Sequence, residues 1–466
     1  MNKERTRKMK FSRYTTIQHL KENVYFMVNA LSGAVDIIDE EDKQIIDQLI
    51  KNGQAENMTA DLMENLKERG YLFADEEEEE SYIQRMFALY QKVIDRKAAK
   101  IVICPTFLCN LRCVYCFESL DMRKGTERIE PEEVDKIFTY VDEIMKQKNL
   151  EGYEIELFGG EPLLPTTYET NKRIFEHARK LGKCVSIITN GTQIGIYLEL
   201  LKEYKDCIGN FQITLDGLQE IHDKRRVKED GTGTFDVICK GIDALLELEI
   251  KVGVRINLDR QNIDSLKELV HFFRIKGWTN SRYFHADVAP VVDHTCANLS
   301  SDIMKENEII KRIREIFPEK IEDSFFHLQL FRVLNHVRQV LGNEEETISI
   351  PSFHYCEGNR MEFYVFAPDG YIYLCPEAVG AKEAVIGEYK DGLKLYDSYE
   401  QWEKRNITTV PKCRECEIAP FCGGGCPFAA IAVNGDINEP VCDDSKEVLY
   451  QYIDSMKEEI IEKYCE

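Results

Sequence analysis

From Ile101 onward, short apolar runs alternate with amphipathic stretches, and few folds accept that alternation. The runs are IVICPTF, YEIELFGG, VSIITNG, FQITLDG, VGVRINLD and YFHADVAP, with stretches such as EEVDKIFTYVDEIMKQ, NKRIFEHARKLG and DVICKGIDALLELEI between them. Strands that alternate with helices form parallel βαβ units. At roughly 30 residues or slightly more per unit, six of them predict an α/β fold built as a partial (β/α)6 barrel of the TIM type. Chemistry in such barrels gathers at the C-terminal ends of the strands. The unusual residues of this chain fall there: Cys109 to Cys116 after the first strand, Gly159-Gly160-Glu161-Pro162 after the second, Thr189-Asn190-Gly191 after the third and Asp216-Gly217 after the fourth.

Other segments flank this barrel, predicted over 98–300. Residues 11–38 read as three strands rich in aromatic and β-branched residues. A helix follows from Asp39 or the acidic pair after it, with Gly53 past its end, and a second helix ends at Gly70 before YLF. Residues 1–90 thus predict a winged-helix-like α+β module, with the run Asp75 to Glu80 as a solvated helix start or linker at its edge. A helical bridge is expected over 301–350. From 351 to 466 the chain is loop-rich and cysteine-rich, and ends in one amphipathic helix.

The chain has 466 residues, enough for several compact units. Its formal net charge of -23 argues against nucleic acid, which wants a basic surface. No apolar run approaches the roughly 18 residues of a membrane helix, and the basic start lacks the apolar core of a secretion signal. A cytoplasmic location and no membrane partner are expected. Lys3, Arg5, Arg7, Lys8 and Lys10 form a basic arm suited to an acidic segment or to a disordered tail.

In a reducing compartment, clustered cysteines read as metal ligands. Cys109, Cys113 and Cys116 are spaced C-x3-C-x2-C, with aromatics on either side of the third. A disulfide cannot use three thiols, and a structural zinc site wants four ligands. Three thiolates can hold three irons of a cubic 4Fe–4S cluster and leave one iron open; a zinc site and a chance meeting of core cysteines are the other readings. Seven more cysteines lie between 356 and 442, and Cys413, Cys416, Cys422 and Cys426 alone would also suit a zinc ribbon. Cys104, Cys184, Cys207 and Cys239 are expected as buried apolar fillers.

The motif Cys109-x3-Cys113-x2-Cys116, with Tyr115 before its last cysteine, resembles the signature of the radical S-adenosylmethionine enzymes. The resemblance covers about residues 98–295. It implies that the open iron chelates S-adenosylmethionine, whose reductive cleavage yields a 5′-deoxyadenosyl radical that abstracts an unactivated hydrogen. FGGEP resembles the family's Gly-Gly-Glu-Pro segment, so Gly159, Gly160, Glu161 and Pro162 should meet the cofactor, with the Glu161 carboxylate on the methionine ammonium. Asn190, Asp216 and Arg255 are candidates for the ribose or the methionine carboxylate, and a guanidinium suits the latter.

The seven later cysteines, in order, resemble the SPASM domain with its two auxiliary 4Fe–4S clusters. Carried over, the family's ligation gives Cys413, Cys416, Cys422 and Cys442 to the distal cluster and Cys356, Cys375 and Cys426 to the nearer one. The nearer set is one short; Cys296, His354 or an open iron completes it, and the open iron is the favoured reading because it can take a substrate thiolate.

The N-terminal module resembles the leader-recognition element of ribosomal-peptide maturases, which adds a leader as an extra strand. Together these features resemble the thioether-forming (sactipeptide or ranthipeptide) maturases. The resemblance implies three 4Fe–4S clusters, S-adenosylmethionine, a ribosomally made precursor peptide with a leader, and a flavodoxin- or ferredoxin-type reductant. A cysteine sulfur of the peptide would be joined to one of its carbons, with the auxiliary clusters accepting the leftover electron. The alternatives are an anaerobic sulfatase maturase, which makes formylglycine, and a non-catalytic zinc-ribbon binding protein.

Overall fold

The computed structural model describes residues 8–94, 98–116, 118, 127–292, 301–319, 325–342, 350–360, 362–442 and 444–465. The N-terminal segment opens with β1 (Lys10–Phe11), β2 (Thr15–Lys21), β3 (Val24–Asn29) and β4 (Val35–Ile38). Helices α1 (Glu40–Asn52) and α2 (Ala60–Glu68) follow, then β5 (Leu72–Phe73) and α3 (Glu76–Val93). β2, β3 and β4 form an antiparallel sheet, and β1 pairs with β5. Asp39 caps α1 by accepting from the Asp42 N–H, and Gly53 closes the helix in the left-handed region.

The acidic run is more than a solvated helix start. Asp75 caps α3, but Glu79 within the run is buried and binds Arg13 through its backbone N–H at 2.7 Å and Nε at 3.0 Å. Helix periodicity is the reason: Glu79, Ile83 and Tyr90 all lie on the buried face of α3. That face joins Tyr14 and Leu31 to Phe353, Ile407, Val410 and Cys413 in one apolar cluster, so the N-terminal segment packs on the cysteine-rich one. Lys10 of the basic arm pairs with Glu76 at 2.9 Å. Lys3, Arg5 and Arg7 lie outside the described residues.

The barrel is built as the alternation requires. Its strands are β6 (Ala98–Ile103), β7 (Gly152–Leu157), β8 (Val185–Thr189), β9 (Ile208–Thr214), β10 (Lys251–Leu258) and β11 (Phe284–Pro290), in sequential parallel order. Between them run α4 (Pro131–Gln147), α5 (Tyr168–Lys180), α6 (Ile194–Glu203), α7 (Gln219–Arg225), α8 (Phe235–Glu247) and α9 (Leu266–Ile275). Even positions of β10 (Val252, Val254, Ile256, Leu258) are buried, while Arg255 and Asn257 line an interior cavity.

The sheet does not stop at six strands. After α10 (Glu306–Ile316), β12 (Phe326–Leu328) adds in parallel to β11, so the stretch 301–350, expected as a helical bridge, holds a strand before α11 (Arg332–Gly342). At the other end, β13 (Glu362–Phe366) lies parallel to β6. It continues antiparallel into β14 (Tyr371–Tyr373), β15 (Val385–Glu388) and β16 (Lys394–Leu395), giving eleven strands in one sheet among the described residues. The terminal amphipathic stretch is two helices, Ser445–Ser455 and Lys457–Cys465. Among the described residues no helix is long and apolar enough to cross a membrane.

Cys104, Cys207 and Cys239 are buried, as their apolar surroundings require. Cys184 is exposed: it sits in the turn between α5 and β8, where the chain runs over the surface, and is no core filler.

Candidate active site

The loop after β6 presents Cys109, Cys113 and Cys116 to a cavity of about 210 Å³ at the C-terminal ends of the strands. Gly159, Gly160, Asn190 and Arg255 line the same cavity. The loop is pinned on three sides. The Glu161 N–H donates to Leu108 O at 2.8 Å. Asn190 Nδ2 donates to Asn110 Oδ1 at 2.8 Å, and Asn110 Nδ2 to Thr192 Oγ1 at 2.9 Å. The N–H groups of Arg112 and Val114 donate to Val227 O at 2.7 Å and Arg225 O at 3.0 Å.

The two glycines are needed for this approach. A Cβ on Gly160 would lie 2.3 Å from Phe107 O and 2.4 Å from Leu108 O, and one on Gly159 2.5 Å from Cys104 Sγ. No other residue lets the second strand's turn sit so near the cysteine loop.

Glu161 and Asp216 stand behind the lining. The Glu161 carboxylate, fully buried, accepts from Thr189 Oγ1 at 2.6 Å, Leu163 N–H at 2.9 Å and Asn190 N–H at 2.7 Å. Burial pushes its pKa up, and the Thr189, Asn190 and Leu163 donors oppose that. About one lone-pair position is then left to accept from anything else. Asp216 accepts from the Tyr115 hydroxyl and from Asn257 N–H at 3.0 Å, with Arg225 Nε at 3.5 Å. Pro162 is buried, and its carbonyl accepts from Thr167 Oγ1 and Asn171 Nδ2 at 2.7 Å each. Arg255 donates to Asn257 Oδ1 at 2.8 Å and Gln329 Oε1 at 3.1 Å, and burial lowers its pKa.

Two residues to which the sequence reading gave no contact role complete the cavity. Tyr115 receives hydrogen bonds from Arg226 Nη1 at 2.9 Å and Asn257 Nδ2 at 3.2 Å. Arg226 lines the cavity, is buried, and has no carboxylate within ion-pair distance among the described residues. Although burial disfavours its charge, Cys113, Tyr115 and Asp216 hold its pKa well above the usual value. Its Nε has no partner. A buried guanidinium with an unused donor beside thiols suits an anionic occupant. The signal was present: Arg225-Arg226 is a cation doublet after the fourth strand of a strongly acidic chain.

The seven later cysteines meet in two neighbourhoods. Cys356, Cys375 and Cys426 lie close enough that the charge of one raises the pKa of the next, after burial, which is the larger cause. Cys413 faces Cys416 and Cys442, and burial pushes its thiol up to about 11. Cys375 immediately precedes the short turn Pro376–Ala378, whose Glu377 lines the barrel cavity. Among the seven stands Arg405, buried, donating to Ile437 O at 2.6 Å, Gly425 O at 3.0 Å and Gly424 O at 2.6 Å. Burial lowers its pKa, and Cys413, Cys426, Cys356 and Cys422 oppose that. His354 is buried, its Nδ1 3.1 Å from the Tyr90 hydroxyl. Cys296 lies outside the described residues.

Spacing bears on the metal. A tetrahedral zinc with bonds of about 2.3 Å holds its sulfurs roughly 3.8 Å apart. Among the described residues no three thiols lie within 4.8 Å of one another. That spacing is wider than a single tetrahedral zinc would impose, and Arg226 and Arg405 place guanidiniums among these thiols.

Residues 103–273 match the model of the Radical SAM superfamily. These residues thus carry a radical S-adenosylmethionine domain. The superfamily implies a 4Fe–4S cluster and S-adenosylmethionine. A cysteine-type anaerobic sulfatase-maturating enzyme of Clostridium novyi (strain NT) is 25% identical over 338 residues, 68% of this chain and 84% of the relative. The structure of anSMEcpe with bound AdoMet and Cp18Cys peptide matches with a TM-score of 0.59 at 16% identity, covering 78% of this chain and 98% of that one. Streptococcus suis SuiB bound to precursor peptide SuiA matches with a TM-score of 0.54 at 16% identity, covering 94% of this chain and 99% of that one. At such identity the two structures speak for the fold.

Proposed function

We propose that this chain is a peptide maturase that closes intramolecular thioethers in a ribosomally made precursor peptide. One observation carries the reading. The likeness to SuiB, a protein seen with a precursor peptide, spans 94% of the chain and leaves too little out to omit the N-terminal segment. The likeness to anSMEcpe spans 78%. The N-terminal segment includes a small β-sheet whose outer strands β2 and β4 have no further strand partner among the described residues. An extended leader can add to such an edge by main-chain hydrogen bonds. In this reading residues 1–90 form the leader module, 98–300 the core barrel, 301–350 the bridge and 351–466 the SPASM domain, in a cytoplasmic enzyme served by a flavodoxin- or ferredoxin-type reductant.

Cys109, Cys113 and Cys116 would hold the first cluster, Cys356, Cys375 and Cys426 the nearer auxiliary one, and Cys413, Cys416, Cys422 and Cys442 the distal one. The bound cluster and S-adenosylmethionine supply a carbon radical that takes a hydrogen atom from an unactivated carbon. The chain's own residues position and neutralise. Glu161 has a lone pair to offer the cofactor's ammonium, and its three donors favour the charged form against burial. Arg226 and Arg255 offer guanidiniums to carboxylate or cluster charge, and Asn190 links the cysteine loop to the third strand. Asp216 acts through Tyr115 and Asn257. The peptide loses two hydrogens overall as its cysteine sulfur gains a bond to carbon.

The 25% identity to a sulfatase-maturating enzyme favours a second reading, oxidation of a protein Cys or Ser to formylglycine. Mass spectrometry on peptide co-expressed with the enzyme under anoxia separates them. Loss of two hydrogens with no free thiol means a thioether, and an aldehyde trapped by hydrazine means formylglycine. A colourless protein that holds zinc and leaves both substrates intact would sink both.

A further inference from the structure

Outside the cysteine clusters, one group of side chains is arranged for a single ion. His285 and Asp287 lie two residues apart on β11, and His327 pairs with Asp287 across β12. His285 Nε2 is 3.5 Å from Asp287 Oδ2, and His327 Nδ1 is 3.2 Å from Asp287 Oδ1. One ligand atom from each residue falls within a common 4.8 Å, the only such trio among the described residues. Bonds of about 2.1 Å in a tetrahedral site separate nitrogen and oxygen ligands by roughly 3.4 Å. We propose that His285, Asp287 and His327 form a three-ligand site for a divalent transition metal of the zinc class, distinct from the iron–sulfur sites.

Two further observations point to a ligand. Asp287 is 1% exposed, and its Oδ1 accepts no aligned hydrogen bond although His327 Nδ1 stands 3.2 Å away. A buried carboxylate oxygen without an aligned donor is costly unless something else satisfies it. Gly253, opposite His285 on β10, makes the hollow: a Cβ there would lie 2.4 Å from His285 Nε2 and 3.0 Å from Asp287 Oδ2. Arg255, opposite Asp287 on β10, is drawn off to Asn257 and Gln329. Two imidazoles and one carboxylate are borderline donors that suit Zn²⁺, Fe²⁺ or Co²⁺ and leave coordination positions open. His285 and Asp287 share the sheet face that carries Arg255 and Asn257, from which a polar group of a substrate would reach such a metal. The alternative is a pair of Asp–His contacts that binds no metal.

The site is independent of the thioether reading, because its test reads metal rather than product. Holoenzyme reconstituted with iron and sulfide under anoxia is stripped of loose metal and titrated with Zn²⁺ by calorimetry, with zinc, iron and sulfide counted afterwards. Wild type should take one zinc more per chain than His285→Ala/His327→Ala at equal iron and sulfide, with at least tenfold tighter binding. Equal zinc in the two proteins, or none in either, overturns the proposal. Should the double variant lose iron, His327→Ala alone decides, because that side chain is 69% exposed and its loss leaves the core intact. Gly253→Ala fills the hollow and should abolish the extra zinc while both histidines remain.

Discussion

Replacing Gly160 by Ala tests whether the second strand's turn sets the position of the cysteine loop. The added methyl would sit 2.3 Å and 2.4 Å from two carbonyl oxygens, against ordinary contacts of about 3.4 Å. Something must move by about 1 Å. The φ of Gly160 is outside the left-handed region, so steric contact alone is at issue. The obstructing oxygens belong to Phe107 and Leu108, the residues just ahead of Cys109, and the turn is tied to them by Gly160 N–H to Thr106 O at 3.2 Å and Glu161 N–H to Leu108 O at 2.8 Å. Overpacking of this kind costs about 1–3 kcal/mol, and a misplacement near 1 Å in a reacting site costs roughly a hundredfold in rate. After anoxic reconstitution, Gly160→Ala should hold less iron and release deoxyadenosine from S-adenosylmethionine about a hundredfold more slowly. Gly195→Ala, in α6 with nothing within 4 Å of the new methyl, is the control and should gain up to about 1 kcal/mol. A Gly160→Ala enzyme with normal iron and normal cleavage would show that the loop does not depend on this turn.

Other perturbations have equally definite outcomes. Arg405→Met strands three buried carbonyls and removes the charge facing the C-terminal thiols, at several kcal/mol; on the proposed ligation iron should fall while deoxyadenosine release survives, and unchanged iron would refute the role. Burial, with help from Arg226 and Arg225, pushes His222 down to about 3, against about 6.5 unfolded. Its contribution to stability is therefore complete above pH 6.5 and shrinks as pH falls toward 3, by about 2 kcal/mol between pH 7 and 5; His222→Gln should lessen the acid sensitivity seen in urea unfolding, and parallel slopes would refute this. Glu79→Gln leaves the 7%-exposed Arg13 without its buried partner. With Glu76 and Glu415 still near, the cost falls at about 3 kcal/mol, and limited proteolysis should release the N-terminal segment sooner.

The barrel was legible because parallel βαβ units leave a pattern of two periods in the chain, apolar runs of strand length between 3.6-residue amphipathic ones. The cysteine loop and FGGEP were legible for another reason: their chemistry is local, carried by neighbours in sequence. What escaped was assembled from distant positions. Arg226 meets Cys113 only because the chain after α7 folds back on the loop, and Arg405 is an ordinary cation until the glycine turn 423–425 wraps it. Glu79 looked like one of a solvated run because adjacent charges conceal which of them falls on the buried face of α3. The short strand β12 was missed since Phe325-Phe326-His327-Leu328 is too brief for either period to declare itself.

The place of β13 beside β6 has a consequence for any attempt to dissect the molecule. Register runs from Glu362 opposite Ala99 to Phe366 opposite Ile103, along all but the first residue of the strand that leads into the first three cysteines. A chain cut short near residue 350 would bare that flank, and an uncovered row of amides and carbonyls recruits strands from other molecules. The cysteine-rich tail therefore acts as the gasket of the barrel, and truncates that clump would be reporting a torn seam rather than a missing cofactor.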